Sequence, residues 1–307
     1  MTPSNSQRPG PQRRRLQAGQ VSEIIVINSD GSNRQVIYET GDLIEAPNWT
    51  ADGKWLVYNG DGRLFKISPD GREGPIRINT APIENINNDH CLSPDGKTIY
   101  ISSNDGHLYA VPIDGGTPIK ISNDQDPARR FIYYLHGVSP DGKTLAYVGL
   151  ERNADGKILT DIYTIPSAGG ADKKLTNATY PVDGPEYSPD GEWIYFNSEH
   201  AATEPGHAQI FRMKADDGSN IEQLTYDERV NWFPHFPRDG SIVAFISFPK
   251  GTLGHPADKD VIIRTINPDG SNQRDIDAFF GGQGTINVNS WAPDCERLAY
   301  VAYPLAE

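Results

Sequence analysis

Apolar residues in this chain come in short alternating runs, each introduced by a polar turn. In the clearest example, Ser93-Pro94-Asp95-Gly96-Lys97 leads into Thr98-Ile99-Tyr100-Ile101-Ser102. Alternation with period two marks a strand with one buried face. Pro94 sets the backbone angle for the second turn position and Gly96 closes the fourth, which predicts a type I turn. The phrase returns as Ser139-Pro140-Asp141-Gly142 and Ser188-Pro189-Asp190-Gly191. Weaker copies carry Asp52, Asp239 and Asp294, and the spacing between successive turn aspartates grows from 43 to 55 residues.

One whole unit can be written out. His90–Leu92, Thr98–Ser102, Leu108–Pro112 and Ile119–Ser122 are four predicted strands, with Asp114-Gly115-Gly116 between the last two. Four antiparallel strands at this period make a propeller blade. The N-terminus supplies a third and a fourth strand, Glu23–Asn28 and Arg34–Tyr38, with no first or second. The C-terminus supplies a first and a second, Asn289–Trp291 and Leu298–Tyr303. Together they complete one blade and hide two open sheet edges. The expected fold is all-β: a six-bladed β-propeller of four-stranded antiparallel blades, closed by the N-terminal strands completing the C-terminal blade.

Composition agrees with short strands and turns, since Gly (30) and Pro (24) are plentiful and hydrophobic residues make up 36%. A net charge of −13 argues against a nucleic-acid backbone or an anionic membrane as partner. The longest apolar runs are strand-sized, so no membrane span is predicted. Cys91 and Cys295 fall in repeats two and six and read as free thiols. Residues 1–20 are polar and carry Arg13-Arg14-Arg15, which reads as a disordered tail ahead of one domain over residues 21–307. No apolar core follows the basic run, so no signal peptide is expected. That favours the cytoplasm, or the periplasm if a leader has been trimmed.

The repetitive turns all lie on one face of such a ring. The other face carries the irregular connections, where binding residues gather on rigid scaffolds. His90, His136 and His235 begin innermost strands there, and His255 stands in the long loop 249–260. Three imidazoles around a narrow tunnel could hold a divalent metal, or they could simply brace neighbouring blades. Asp89, Asp183 and Glu186 lie on the same face, with Glu45 nearby. A carboxylate beside an imidazole can divide acid and base duties. Tyr133, Tyr134, Trp232 and Phe233 suit stacking on sugar faces or packing between blades. Gly281-Gly282-Gln283-Gly284 invites a phosphate-loop reading, but no helix or lysine completes it.

The Pro-Asp-Gly repeat resembles the TolB-like propellers over about residues 22–303. Asn87-Asn88-Asp89-His90, Asp183-Gly184-Pro185-Glu186 and Trp232-Phe233-Pro234-His235 are similar to a narrower bacterial subgroup. A further part of that pattern is Phe280-Gly281-Gly282-Gln283-Gly284-Thr285. The resemblance implies the propeller fold and says little of function. Oligogalacturonate lyases use related propellers with a histidine-held metal, but with seven blades and another histidine spacing.

The expected function is binding of a small polar ligand, a saccharide above others, at the tunnel mouth. In a hydrolase or lyase, His136 or His90 would pair with Asp183 or Glu186 for proton transfer. Asp89, Trp232, His235, Asn231, His255, Lys259, Gln283, Asn287 and Glu45 would hold the ligand. The alternative is a non-catalytic binding or scaffold protein with a protein partner.

Overall fold

The structure, a computed structural model, describes residues 14–177 and 179–306. Two strands come first, β1 (Ser22–Asn28) and β2 (Gln35–Thr40). The first full blade is β3 (Ile44–Trp49), β4 (Leu56–Gly60), β5 (Arg63–Ile67) and β6 (Ile76–Ile78). The second is β7 (Ile86–Leu92), β8 (Thr98–Ser103), β9 (Leu108–Pro112) and β10 (Ile119–Lys120). The third is β11 (Ile132–Val138), β12 (Thr144–Arg152), β13 (Ile158–Pro166) and β14 (Lys173–Lys174). The fourth is β15 (Val182–Tyr187), β16 (Trp193–Ser198), β17 (Gln209–Lys214) and β18 (Glu222–Gln223). The fifth is β19 (Val230–His235), β20 (Val243–Phe248), β21 (Lys259–Ile266) and β22 (Arg274–Gly281). The last strand, β23 (Arg297–Ala302), pairs with β1, which pairs with β2.

The ring therefore closes as expected, with Ile25 opposite Tyr300 and Val26 opposite Ala299. One detail differs. The innermost strand expected at Asn289–Trp291 is reduced to a single bridge, Trp291 to Leu298. Asn289, just before that bridge, donates its side-chain Nδ2 to Glu186 and to the Phe236 carbonyl.

The Pro-Asp-Gly turns have one chemistry. Gly96 N–H donates to the Ser93 carbonyl at 2.9 Å, and the Ser93 hydroxyl donates to Asp95 at 2.6 Å. Asp95 also accepts from Lys97 N–H, and these hydrogen bonds hold its carboxyl below the usual range. Gly96 has φ of +72°, which costs a glycine little. Successive turns touch around the ring. A Cβ placed on Gly142 would lie 3.5 Å from Pro94, and one on Gly191 would lie 3.6 Å from Pro140. Gly53, Gly142, Gly191 and Gly240 thus abut the turn proline of the preceding blade, and Gly96 meets Ala51, which stands in the proline's place.

Apolar faces pack between blades. Ile25, Trp232, Phe248, Ile263 and Tyr300 share one cluster that locks the closing blade to the fifth. Burying each such side chain contributes about 1.5–3 kcal/mol. Cys91 is buried, Cys295 is partly exposed, and both are free.

The feature that positions the site is a break in register. It recurs in the innermost strand of the five full blades, between Glu45 and Asn48, Ile86 and His90, Leu135 and Gly137, Asp183 and Glu186, and Trp232 and His235. Ala46, Gly184 and Phe233 take φ of 55°, 60° and 56° at these points. Such a bulge re-aims side chains toward the barrel or ring axis.

Part of the segment expected as a tail over residues 1–20 is packed on the ring. Residues 1–13 lie outside the described residues, whereas Arg14 to Gln20 pack on the ring. Gln20 bridges Leu305, and Val21 N–H donates to the Pro304 carbonyl. Gln20 is 5% exposed, because its amide is consumed by Tyr303 and Asp258. Among the described residues no helix is long and apolar enough to cross a membrane.

Candidate functional site at the tunnel mouth

The bulges separate two levels of side chains. Glu45, Asn88, Tyr134, Asp183, Trp232 and Asn287 each stand seven residues before a turn aspartate. They form the upper level, on the irregular face. Asn48, Cys91, Gly137, Glu186, His235 and Ser290 stand four residues before it and form the lower level, nearer the turns.

At the upper level His136 is the centre. It sits inside the bulge of β11, where Leu135 and Gly137 pair with successive residues and leave it out of the ladder. Its Nε2 lies 3.0 Å from Asp183 Oδ1, and its Nδ1 lies 3.1 Å from the Asn287 carbonyl. Both ring nitrogens face acceptors, so both carry protons. Burial alone would lower the imidazole's pKa, but Asp89 and Asp183 together push it up to about 9. The same contact holds the buried Asp183 below the usual carboxylate range. Asp89 accepts from Asn87 Nδ2 at 2.8 Å and has no imidazole in direct contact among the described residues. Burial raises it to about 6, with His136 opposing and Asp183 adding to the shift. Glu45 is raised by burial to about 7, against the pull of Arg14.

The remaining upper groups join this cluster. Asn88 Nδ2 donates to Glu45 at 3.5 Å. His255 packs against Trp232 with the rings tilted by 55° and centroids 4.5 Å apart, hydrogen-bonds Gln283 through Nδ1, and brings Nε2 to 3.7 Å from Asp183. Burial lowers the His255 pKa. Asn287 donates to Gln283 at 3.2 Å. Glu45, Asp89, His136, Asp183, Trp232, His255, Gln283 and Asn287 are thus brought together at this end of the tunnel.

Other expected members are not. His90 is fully buried, and its Nε2 faces the Val57 carbonyl at 3.4 Å. It stands at the same distance from its turn as His136, but the bulge of β7 falls before it, and it pairs regularly with Ile101. Burial lowers its pKa to about 4. Glu186 and His235 belong to the lower level and pair with each other at 2.5 Å. His235 Nε2 faces the Ile286 carbonyl at 2.9 Å, and Glu186 opens onto a separate cavity of about 350 Å³ among the turn prolines. The three-imidazole site therefore does not form, and among the described residues no cluster of three metal-ligating side chains is found. Asn231 is fully buried and spends its amide on Gln209, Thr225 and Ser247, bracing blades four and five. Lys259 is exposed at the start of β21.

The glycine run is a close-packing device. Gly282, Gln283, Gly284 and Thr285 donate their N–H groups to Thr285, Pro256, Asn287 and Gly282. None remains to cradle a phosphate. A Cβ on Gly284 would stand 2.4 Å from the Tyr303 hydroxyl and 2.7 Å from Glu45. Only glycine lets this loop reach the mouth.

A cavity of about 760 Å³ opens beside the mouth, and Glu45, Asn88 and Gln283 form its inner end. Its walls carry Tyr38, Tyr58 and Phe65, the last two stacked at 5.7 Å. These aromatics belong to regular strands and escape a search of the loops. His136 and Asp89 do not border it and are 3% and 5% exposed; His136 lines the cavity of about 350 Å³ instead. Arg14 also lines the cavity, which nothing in a basic tail segment announces.

A closed six-bladed ring of four-stranded blades, with a polar, acid-rich mouth on its irregular face, defines the class of protein as an all-β propeller. The chain belongs to the TolB-like β-propeller family. The family model of the TolB beta propeller domain matches residues 137–261. The uncharacterised protein Atu1656 of Agrobacterium fabrum is 38% identical over 92% of this chain and 92% of its own length. A solved structure from Agrobacterium tumefaciens, provisionally described as TolB, has a TM-score of 0.84 at 37% identity and covers 93% of this chain and 99% of that one. The Tol-Pal system protein TolB of Francisella tularensis is 25% identical over 90% of this chain, which spans 60% of that protein. An oligogalacturonate lyase in complex with manganese shares the fold alone, with a TM-score of 0.53 at 14% identity over 87% of this chain and 75% of that one.

Proposed function

We propose that the irregular face binds a small, hydroxyl-rich ligand of the saccharide class in the cavity beside the tunnel mouth. One observation carries this reading. The same 760 Å³ space is bordered by aromatic rings (Tyr38, Phe65) and by amide and carboxyl groups (Asn88, Gln283, Glu45). Aromatic faces take the apolar side of a sugar ring while amides and acids take its hydroxyls.

In the hydrolase or lyase form of this reading, proton transfer falls to Glu45. It lines the cavity and titrates near neutrality, as an acid–base group must. His136 and Asp183 bond each other and main chain, with His255 Nε2 3.7 Å from Asp183, and neither borders this cavity; they act by bracing the blades that carry the mouth. The second reading, a protein-binding propeller, is supported by the likeness to Tol-Pal system proteins.

Calorimetric titration against neutral and acidic oligosaccharides tests the first reading. Asn88→Ala should weaken the best ligand about tenfold, the cost of roughly one hydrogen bond to a neutral partner. Release of reducing ends or of unsaturated products separates hydrolase from lyase. A panel in which nothing binds, or binding indifferent to both Asn88→Ala and Glu45→Gln, would sink the saccharide assignment.

A further inference from the structure

The rim of the mouth holds a second, differently built subsite. Arg14 lays its guanidinium over the Tyr303 ring, 3.9 Å from the centroid. Its Nη1 donates to the Gln283 carbonyl at 2.5 Å and stands 3.9 Å from Glu45, while Nη2 donates to Asp258 at 3.3 Å. An aromatic face, a carbonyl and two carboxylates around one planar cation are what guanidinium recognition requires. The components come from four separated stretches of chain, so the pocket exists through the ring and not through the arm. Tyr303 is fixed independently, its hydroxyl donating to the Ile44 carbonyl at 3.0 Å.

Arg14 itself fits imperfectly. Its Nε is buried without a hydrogen-bond partner, which costs about 1–3 kcal/mol. The segment is held mainly further along, where Gln17 and Gln20 both donate to Asp258 and Gly19 accepts from Ala306 N–H.

We propose that the Tyr303–Glu45–Asp258–Gln283 corner is a guanidinium-binding subsite, filled in cis by Arg14 and open to an external guanidinium group when Arg14 leaves. A short tether gives Arg14 an effective concentration on the order of millimolar, so a free competitor must exceed that in the intact protein. The corner shares Glu45 and Gln283 with the saccharide cavity, but no sugar enters its test, so the two readings can fail separately.

The probe is N-acetylarginine amide, titrated into wild type and Arg14→Ala by calorimetry, with N-acetyllysine amide as control. Arg14→Ala should bind the arginine probe about tenfold or more tightly than wild type. Arg14→Lys should fall between them, because a lysine keeps the charge without the two-point contact. Adding Glu45→Gln to Arg14→Ala should remove most of the gain. Equal binding by wild type and Arg14→Ala, equal affinity for both probes, or a gain that survives Glu45→Gln would overturn the assignment.

Discussion

His136 of the third blade meets Asn287 of the closing blade across the tunnel, its Nδ1 3.1 Å from the Asn287 carbonyl. The two stand on opposite sides of a six-membered ring. One side chain thus spans the opening while its other nitrogen holds Asp183. His235 repeats the device one level down, against Glu186 and the Ile286 carbonyl. Consecutive carbonyls of the closing blade are therefore tied to imidazoles from blades three and five.

Removing the upper tie should cost stability. His136→Ala leaves a buried Asp183 carboxylate without its cation, and loss of one partner of a buried pair typically costs about 3–5 kcal/mol. Urea denaturation should show the lowered midpoint. Adding Asp183→Asn should restore part of it, since the double change leaves no orphaned charge.

Stability should fall as pH rises from about 6.5 to 9; below that the buried His90 and His255, whose pKa values burial lowers, oppose the carboxyl groups, because the unfolded chain takes up their protons first. Glu45 and Asp89 have raised folded pKa values, so the folded state holds protons that the unfolded chain releases sooner. The stability tied to those protons is present at low pH and lost as pH climbs through about 6 and about 7. His136 acts in the same direction, fully contributing below its ordinary pKa and losing its contribution as pH passes about 9. Melting temperatures should decline for wild type between about pH 6.5 and 9, and the difference between wild type and Glu45→Gln should shrink as pH climbs from about 5 through 7, which isolates the Glu45 contribution.

Cys295 occupies the place of the turn glycine with φ of 62°. A left-handed backbone costs a non-glycine residue about 1–2 kcal/mol, and the extra freedom of an unfolded glycine returns about half of that. Cys295→Gly should therefore raise stability by about 0.5–1 kcal/mol in urea titrations.

Gly284→Ala should do the reverse. The new Cβ would meet the Tyr303 hydroxyl and Glu45, and φ is +88°. Strain of this kind costs about 1–3 kcal/mol. The loop carrying Gln283 should shift, so ligand affinity at the mouth should drop together with stability.

Six blades, their order and the closure by terminal strands were legible in the chain because they rest on local chemistry. A Ser-Pro-Asp-Gly turn folds by hydrogen bonds within five residues, and alternation reports burial along a single strand. The face bearing the site was legible for the same reason, since strand count alone assigns each connection to one side. What only the tertiary structure decided was which side chains enter the tunnel. His90 and His136 keep the same distance from their turns, yet one is core and the other crosses the opening. The bulge falls before the first and around the second, and a one-residue change in register reverses the face a side chain presents. Arg14 lay further still from any local signal. Its partner Asp258 is 244 positions away, and a contact of that span exists only after the ring has closed.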